Sequence, residues 1–200
     1  MNIGLNRFCA AGVAQHDDLA ARVATLEAIE AIRELKAHYT ALADAKYTND
    51  GYARVDEQTM SAVAWQQAQC FTEDAVWHGG AGFGDERVGR DALHQWFQRS
   101  PWRFAIHFYN GESIAVDGTC ARASWRLWQL ALRNDNGSAV LLAGATDEVY
   151  RRGEDGIWRI GEMRFTALQM MQANDLPLPL STTFAGLDAL RAAPACLERK

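Results

Sequence analysis

Residues 103–116 (RFAIHFYNGESIAV) run through Asp117-Gly118 into residues 121–133 (ARASWRLWQLALR), and this pair decides the fold class. Both segments are rich in aromatic and aliphatic residues, and the Asp-Gly between them is a hairpin signal. Two further segments of the same character follow at 139–152 and 157–170, separated by residues 134–137 and 153–156. Each separator carries turn residues, so the pattern predicts four antiparallel strands in a meander.

Upstream the period changes. Leu26, Ile29, Ile32, Leu35, Tyr39 and Leu42 recur at three- and four-residue spacing, which predicts one long helix over 26–46. Thr25 is its expected cap, and Asn49, Asp50 and Gly51 are expected to end it. A second helix is expected over 57–71 and a short strand over 74–79. The glycine-rich run 79–84 (GGAGFG) superficially resembles a phosphate cradle. It lacks a following Lys-Ser/Thr and a βαβ setting, so it reads as a turning loop. Gly89-Arg90-Asp91 opens a short helix through Gln98, with Asp91 as cap and Leu93, Trp96 and Phe97 as its buried side.

Helices followed by hairpin-linked strands define an α+β class. A twisted antiparallel sheet must bury one face, and the long helix is its natural cover. The expected architecture is a curved antiparallel sheet wrapped around a long N-terminal helix, a cone-shaped α+β barrel whose open mouth suits a small molecule. The domain is expected over 23–170, with an extension at 1–22 and a tail at 171–200.

Composition narrows the function classes. The 200 residues are 48% hydrophobic and 22% charged, with 20 Lys plus Arg against 25 Asp plus Glu, a net charge of −5. That balance argues against a nucleic-acid surface, which needs a basic stripe. No apolar run approaches the length of a membrane span. The run 8–14 (FCAAGVA) follows a single Arg7 and is soon interrupted by charges, unlike a secretory signal. A cytoplasmic location is the resulting expectation. Cys9, Cys70, Cys120 and Cys196 lie far apart with no C-x-x-C pair and read as free thiols. His16, His38, His78, His94 and His107 contain no H-x-x-x-H, so no metal site is expected.

Two residues carry candidate chemistry. Asp44 lies near the end of the long helix among alanines, and His107 lies in a strand with little else polar, residues 104–109 (FAIHFY). Taken singly, each has an ordinary reading as well: a solvated helix-end carboxylate and a satisfied core histidine.

Their combination fits a family pattern. The order Tyr39-x-x-x-x-Asp44, CFTEDAVW at 70–77, Gly89-Arg90, IHFYN at 106–110, IAVDG at 114–118 and DGIWRI at 155–160 resembles the SnoaL-like, scytalone dehydratase-like branch of the nuclear-transport-factor-2-like superfamily. That branch includes polyketide cyclases, scytalone dehydratase, bile-acid dehydratase and hexachlorocyclohexane dehydrochlorinase. The resemblance covers roughly residues 26–165. It implies that Asp44 matches the helix-borne catalytic aspartate and His107 the strand-borne histidine, with Tyr39 matching a tyrosine of the bile-acid enzyme. The dehydrochlorinase has an arginine five residues after the tryptophan of its last strand, where this chain has Met163. Arg164 is one position on, which points it to the opposite sheet face unless a bulge intervenes. Residues 52–58 are an insertion relative to compact members and are expected near the mouth.

The implied function is a cofactor-independent lyase. Asp44 would fix the His107 tautomer and favour its protonated form, His107 would move the proton, and Tyr39 would donate to developing oxygen charge. The expected product loss is water or a comparable group from a hydroxylated aromatic or polycyclic compound. Trp77, Trp96, Trp102, Trp125, Trp128, Phe83 and Tyr109 fall in segments around the predicted pocket, although core packing accounts for most such residues. Trp77, Tyr109, Trp125 and Arg164 are the expected substrate contacts. The resemblance extends to a carbon–carbon lyase that releases formaldehyde from lignin-derived diaryl propanediols. An isomerase or cyclase, a non-catalytic ligand binder, and the small subunit of a ring-hydroxylating oxygenase are the alternatives. A homodimer or homotrimer is the expected assembly.

Overall fold

A computed structural model describes residues 19–79 and 84–173. The expectations placed on Cys9, His16, Phe83, Cys196 and the terminal extension and tail beyond those bounds lie outside the described residues.

Helix α1 (Leu19–Asp44) starts seven residues before the expected 26. Thr25 is therefore inside the helix rather than at its start, and its hydroxyl donates to the Ala21 carbonyl at 3.0 Å. The outward start leaves Val23 and Leu26 exposed, while Ala28, Ile32, Lys36, Tyr39, Leu42 and Ala43 form the buried face. The helix stops at Asp44, earlier than Asn49, because the next residues turn into a two-strand hairpin, β1 (Tyr47–Thr48) and β2 (Ala53–Arg54). Tyr47 and Tyr52 of this hairpin pack edge-on against Phe104.

Helix α2 (Glu57–Gln69) is capped by Asp56, whose carboxylate accepts from the Thr59 backbone N–H at 2.9 Å. Such a cap stabilises a helix by about 1 kcal/mol. Strand β3 (Phe71–His78) follows, then β4 (Arg87–Val88) and helix α3 (Arg90–Gln98). The cap of α3 is Gly89, not Asp91: its φ is +84°, and it offers no side-chain bond. A β-carbon there would stand 3.4 Å from the Glu73 carbonyl, an ordinary contact, so it is the positive φ that favours glycine.

The meander is β5 (Trp102–Asp117), β6 (Cys120–Arg133), β7 (Ala139–Arg152) and β8 (Trp158–Ala173). The six-stranded order is β4-β3-β8-β7-β6-β5. One pairing has no hairpin to announce it: β3 runs parallel to β8, with β4, α3 and the three strands β5 to β7 between them in the chain. Register shifts occur in β5/β6 at Asn110/Ser113 and in β7/β8 at Ala143/Ala145. Shifts of this kind bend a strand and increase its twist, which curves the sheet without closing it.

The inner face follows the two-residue period of a strand. On β6, Ala121, Ala123, Trp125, Leu127, Gln129 and Ala131 are buried, while Arg122, Arg126 and Trp128 point outward. Helix α1 lies on this face beside β5 and β8, with Ile32, Phe71, Leu93, Tyr150, Ile160 and Met163 at the centre of the core. Among the described residues, Cys70 is a buried free thiol and Cys120 an exposed one, and no helix is long and apolar enough to cross a membrane.

Candidate active site

The last turn of α1 and the inner face of β5 meet at Asp44 and His107. One carboxylate oxygen, Asp44 Oδ1, accepts from the His107 backbone N–H at 3.0 Å and lies 2.7 Å from His107 Nδ1. With Nδ1 donating to the carboxylate, Nε2 carries the ring's lone pair. Among the described residues nothing bonds Nε2. The double contact holds both the ring and its backbone against the helix end.

Burial pushes the His107 imidazole below its ordinary value of 6.5, opposed by the hydrogen bond and charge of Asp44 and assisted by Lys46 and Lys36. Desolvation therefore outweighs the carboxylate, and the free ring is neutral near pH 7. Asp44 favours the protonated form, as expected, but by less than burial opposes it. A neutral ring is the form that can accept a proton.

His107 borders an internal cavity of about 80 Å³ under the curved sheet, along with Tyr39, Trp77, Tyr109, Gln129 and Phe165. The rim is formed by Arg99, Ser100, Pro101 and Trp102, with Tyr47 of the β1–β2 hairpin beside them. Sites for drug-sized ligands run to roughly 300–1,000 Å³, so a polycyclic compound does not fit this cavity as it is shaped. Asp44 does not line it. Its carboxylate opens instead onto a groove between α1 and β5 that His107 and Tyr109 also line.

Tyr39 reaches the cavity from α1, with its hydroxyl 4.0 Å from Met163 Sδ. Burial raises its pKa well above the usual phenol value, so it stays a hydrogen-bond donor. Trp77 and Tyr109 also line the cavity. Trp77 packs against Trp96 and Phe165, both with ring centroids at 5.5 Å.

Trp125 and Arg164 are elsewhere. Trp125 is 5% exposed, donates from Nε1 to the Tyr150 hydroxyl at 3.1 Å, and lines not the cavity but the groove between α1 and β5 that Asp44 and His107 also border. Arg164 sits on the outer face of β8 beside Glu162, with Met163 and Phe165 on either side pointing inward. A bulge at Gly161 intervenes, where the β7 partners step from Ile160 to Glu162. It shifts the inward set from Trp158 and Ile160 to Met163 and Phe165, so Arg164 faces outward and the cationic contact expected from it is absent from the cavity. The β1–β2 hairpin reaches the rim through Tyr47, and no residue of the 52–58 insertion lines the cavity.

Three features escaped the sequence reading. Lys46, two residues beyond the helix, is 6% exposed and lines the cavity. Gln129, the ladder partner of His107, is 2% exposed and lines it too. Gln129 was findable, because it interrupts the alternating apolar face Trp125, Leu127, Ala131. Lys36, one turn before Tyr39 and Thr40, is fully buried and pairs with Glu148 at 2.5 Å.

Among the described residues, no three His, Cys, Asp or Glu side chains are grouped as metal ligands. The chemistry-bearing groups at the cavity are an imidazole, three phenols, an amine, two carboxamides and, at the rim, a guanidinium and a hydroxyl.

Residues 24–164 match the model of the SnoaL-like domain. No curated protein matches the chain significantly. Similar solved structures include a protein of Novosphingobium aromaticivorans assigned as an aromatic ring hydroxylase, 20% identical, covering 74% of this chain and 94% of that one, TM-score 0.59. A type 3 hexachlorocyclohexane dehydrochlorinase from Novosphingobium barchaimii LL02 is 15% identical over 78% and 97%, TM-score 0.60. A protein of N. aromaticivorans assigned as a scytalone dehydratase is 18% identical over 78% and 97%, TM-score 0.55. Three different chemistries stand behind one architecture, so these likenesses establish the fold and not the reaction.

Proposed function

The chain belongs to the SnoaL-like domain family, and from that premise we propose that it is a cofactor-independent lyase in which His107 moves the proton. The observation that carries this reading is the 2.7 Å Asp44–His107 contact at the wall of a cavity, with Nε2 left unbonded among the described residues.

In the proposed reaction Nε2 removes a proton from a substrate carbon, and the imidazolium formed is stabilised by Asp44. The C–H electron pair becomes a carbon–carbon double bond as the neighbouring C–O bond breaks. The proton held on Nε2 passes to the departing hydroxyl, which leaves as water. Tyr39, kept protonated by burial, donates to oxygen that gains charge on the way. Asp44 acts through the imidazole and is a positioning residue, while His107 and Tyr39 are the residues proposed to touch substrate. The cavity favours a compact hydroxylated compound, such as one with a single aromatic ring, over a polycyclic one. Formaldehyde release by the same acid–base logic is the variant that product analysis separates. A homodimer or homotrimer and a cytoplasmic setting complete the proposal.

Mass spectrometry of hydroxylated aromatic compounds incubated with wild type and His107→Ala tests it. Loss of 18 mass units, the mass of water, with wild type alone is the expected result. Unchanged mass with altered retention would make the protein an isomerase or cyclase. Equal conversion by both proteins would remove His107 from the chemistry.

A further inference from the structure

The cavity contains a cation with no anion. Lys46 follows α1 immediately, and its carbonyl accepts from the Val55 N–H at 3.0 Å, which fixes the residue between the helix end and the β2 strand. Its amine lies 5.5 Å from the Phe97 ring centroid. No carboxylate among the described residues lies within ion-pair distance of it. Burial and the Arg54 charge lower its pKa to about 8 despite the attraction of Asp44, so near neutral pH most of the population still carries the charge.

A second donor converges on the same space. Gln129 is almost fully buried, yet its Nε2 donates to no described group. It faces the cavity directly across the ladder from His107. Buried polar groups are normally satisfied, and an unpaired buried charge costs considerably more than an unpaired amide. An unpaired buried carboxamide donor and an ammonium with no carboxylate in reach line one cavity next to a neutral base, and they are explained together if a ligand supplies the acceptor. The unpaired Gln67 Oε1 on the same cavity is free to accept from that ligand.

We propose that Lys46 and Gln129 bind an anionic oxygen of the substrate, so that the protein acts on a small carboxylate or phenolate whose acidic carbon is presented to His107. This rests on reading the cavity as the substrate site, and it names the substrate class that reading leaves open. The ammonium contributes charge, and the carboxamide contributes a directed hydrogen bond. The arrangement also supplies the cation that Arg164 does not, from a different element and on the correct face of the sheet. A substrate anion next to Lys46 would offset the amine's influence on His107, leaving Asp44 to support the imidazolium during proton transfer.

The test is a binding comparison that needs no turnover. Dissociation constants of butyrate against butyramide, and of benzoate against benzamide, are measured by NMR titration for wild type, Lys46→Met, Lys46→Arg and Gln129→Leu. Wild type is expected to bind at least one acid about tenfold or more tighter than its amide, in line with one charge-assisted hydrogen bond. That preference should vanish in Lys46→Met, shrink in Gln129→Leu, survive at least in part in Lys46→Arg, and weaken in wild type above about pH 8. An acid preference retained by Lys46→Met, equal binding of acid and amide, or binding of neither pair would overturn the proposal. A wild type that prefers the acids while His107→Ala matches it in turnover of every compound would defeat the lyase reading and leave the anion site standing.

Discussion

Two buried lysines lie ten residues apart in the chain, and their surroundings are opposites. Lys36 is 1% exposed, packed under the groove between α1 and β5. Its amine meets Glu148 at 2.5 Å and stands 3.7 Å from the Tyr109 ring centroid, while Glu148 also accepts from Thr146 at 2.6 Å and from the Tyr150 hydroxyl. Every charge there has a partner within the protein. Lys46 faces a cavity with an aromatic ring for company and no carboxylate within reach. The first is a finished network that holds α1 to β7. The second is an unfinished one, and it surrounds the only imidazole of the cavity wall among the described residues. Polar groups satisfied internally make a fold specific, whereas groups left waiting mark where a ligand belongs.

The largest effect expected from breaking this contrast is catalytic. His107→Ala should lower turnover by roughly 10²–10⁴ while leaving the thermal midpoint nearly unchanged, measured as kcat/KM beside calorimetry. At Lys36 the balance inverts. Glu148→Ala strands the Lys36 charge and should cost about 3–5 kcal/mol of stability, read from denaturant midpoints. Replacing Lys36 and Glu148 together by Met and Leu should recover much of that loss, because the pair's own desolvation cost disappears with it.

Lys46→Met should instead stabilise the protein by about 1–3 kcal/mol at pH 7. Its folded pKa near 8 lies below the unfolded 10.5, so the fold resists the proton. That cost is complete below pH 8 and fades as pH rises toward 10.5, and the advantage of Lys46→Met should fade with it. A lysine kept for stability would show the reverse sign. The smallest effect is on pH dependence. His107 must be neutral to accept a proton and its pKa is lowered in the fold, so the acid limb of kcat/KM should have its midpoint below 6.5. Lys46→Met removes one of the charges that lower it and should move that limb toward higher pH.

The meander and the long helix were legible because each buries one face, and burial writes a period into the residues: two in β6, three to four in α1. The β3–β8 parallel pairing left no such trace, since no turn connects the two strands. Asp44 and His107 were legible as a pair through the family pattern and through their polarity among apolar neighbours. Lys46 was not, because a lysine just past a helix end looks like a solvated terminus until the following hairpin folds over it. Tryptophan serves both cores and ligand sites, and Trp125 has a place in each: its bond to Tyr150 fixes it in the core, and its residue borders the groove of Asp44 and His107. Arg164 is on the outer face because a bulge at Gly161 breaks the alternation that begins at Trp158. The buried cation at the cavity came from a loop residue two positions after Asp44.

The account depends on an imidazole that is neutral, bonded through Nδ1 to Asp44, and open at Nε2. Nitrogen-15 NMR of His107 across pH 4.5–8.5, a range spanning the ordinary value of 6.5, tests this without a substrate. The account predicts the Nδ1–H tautomer at neutral pH with a titration midpoint below 6.5. An Nε2–H tautomer, or a midpoint above 6.5, would contradict it.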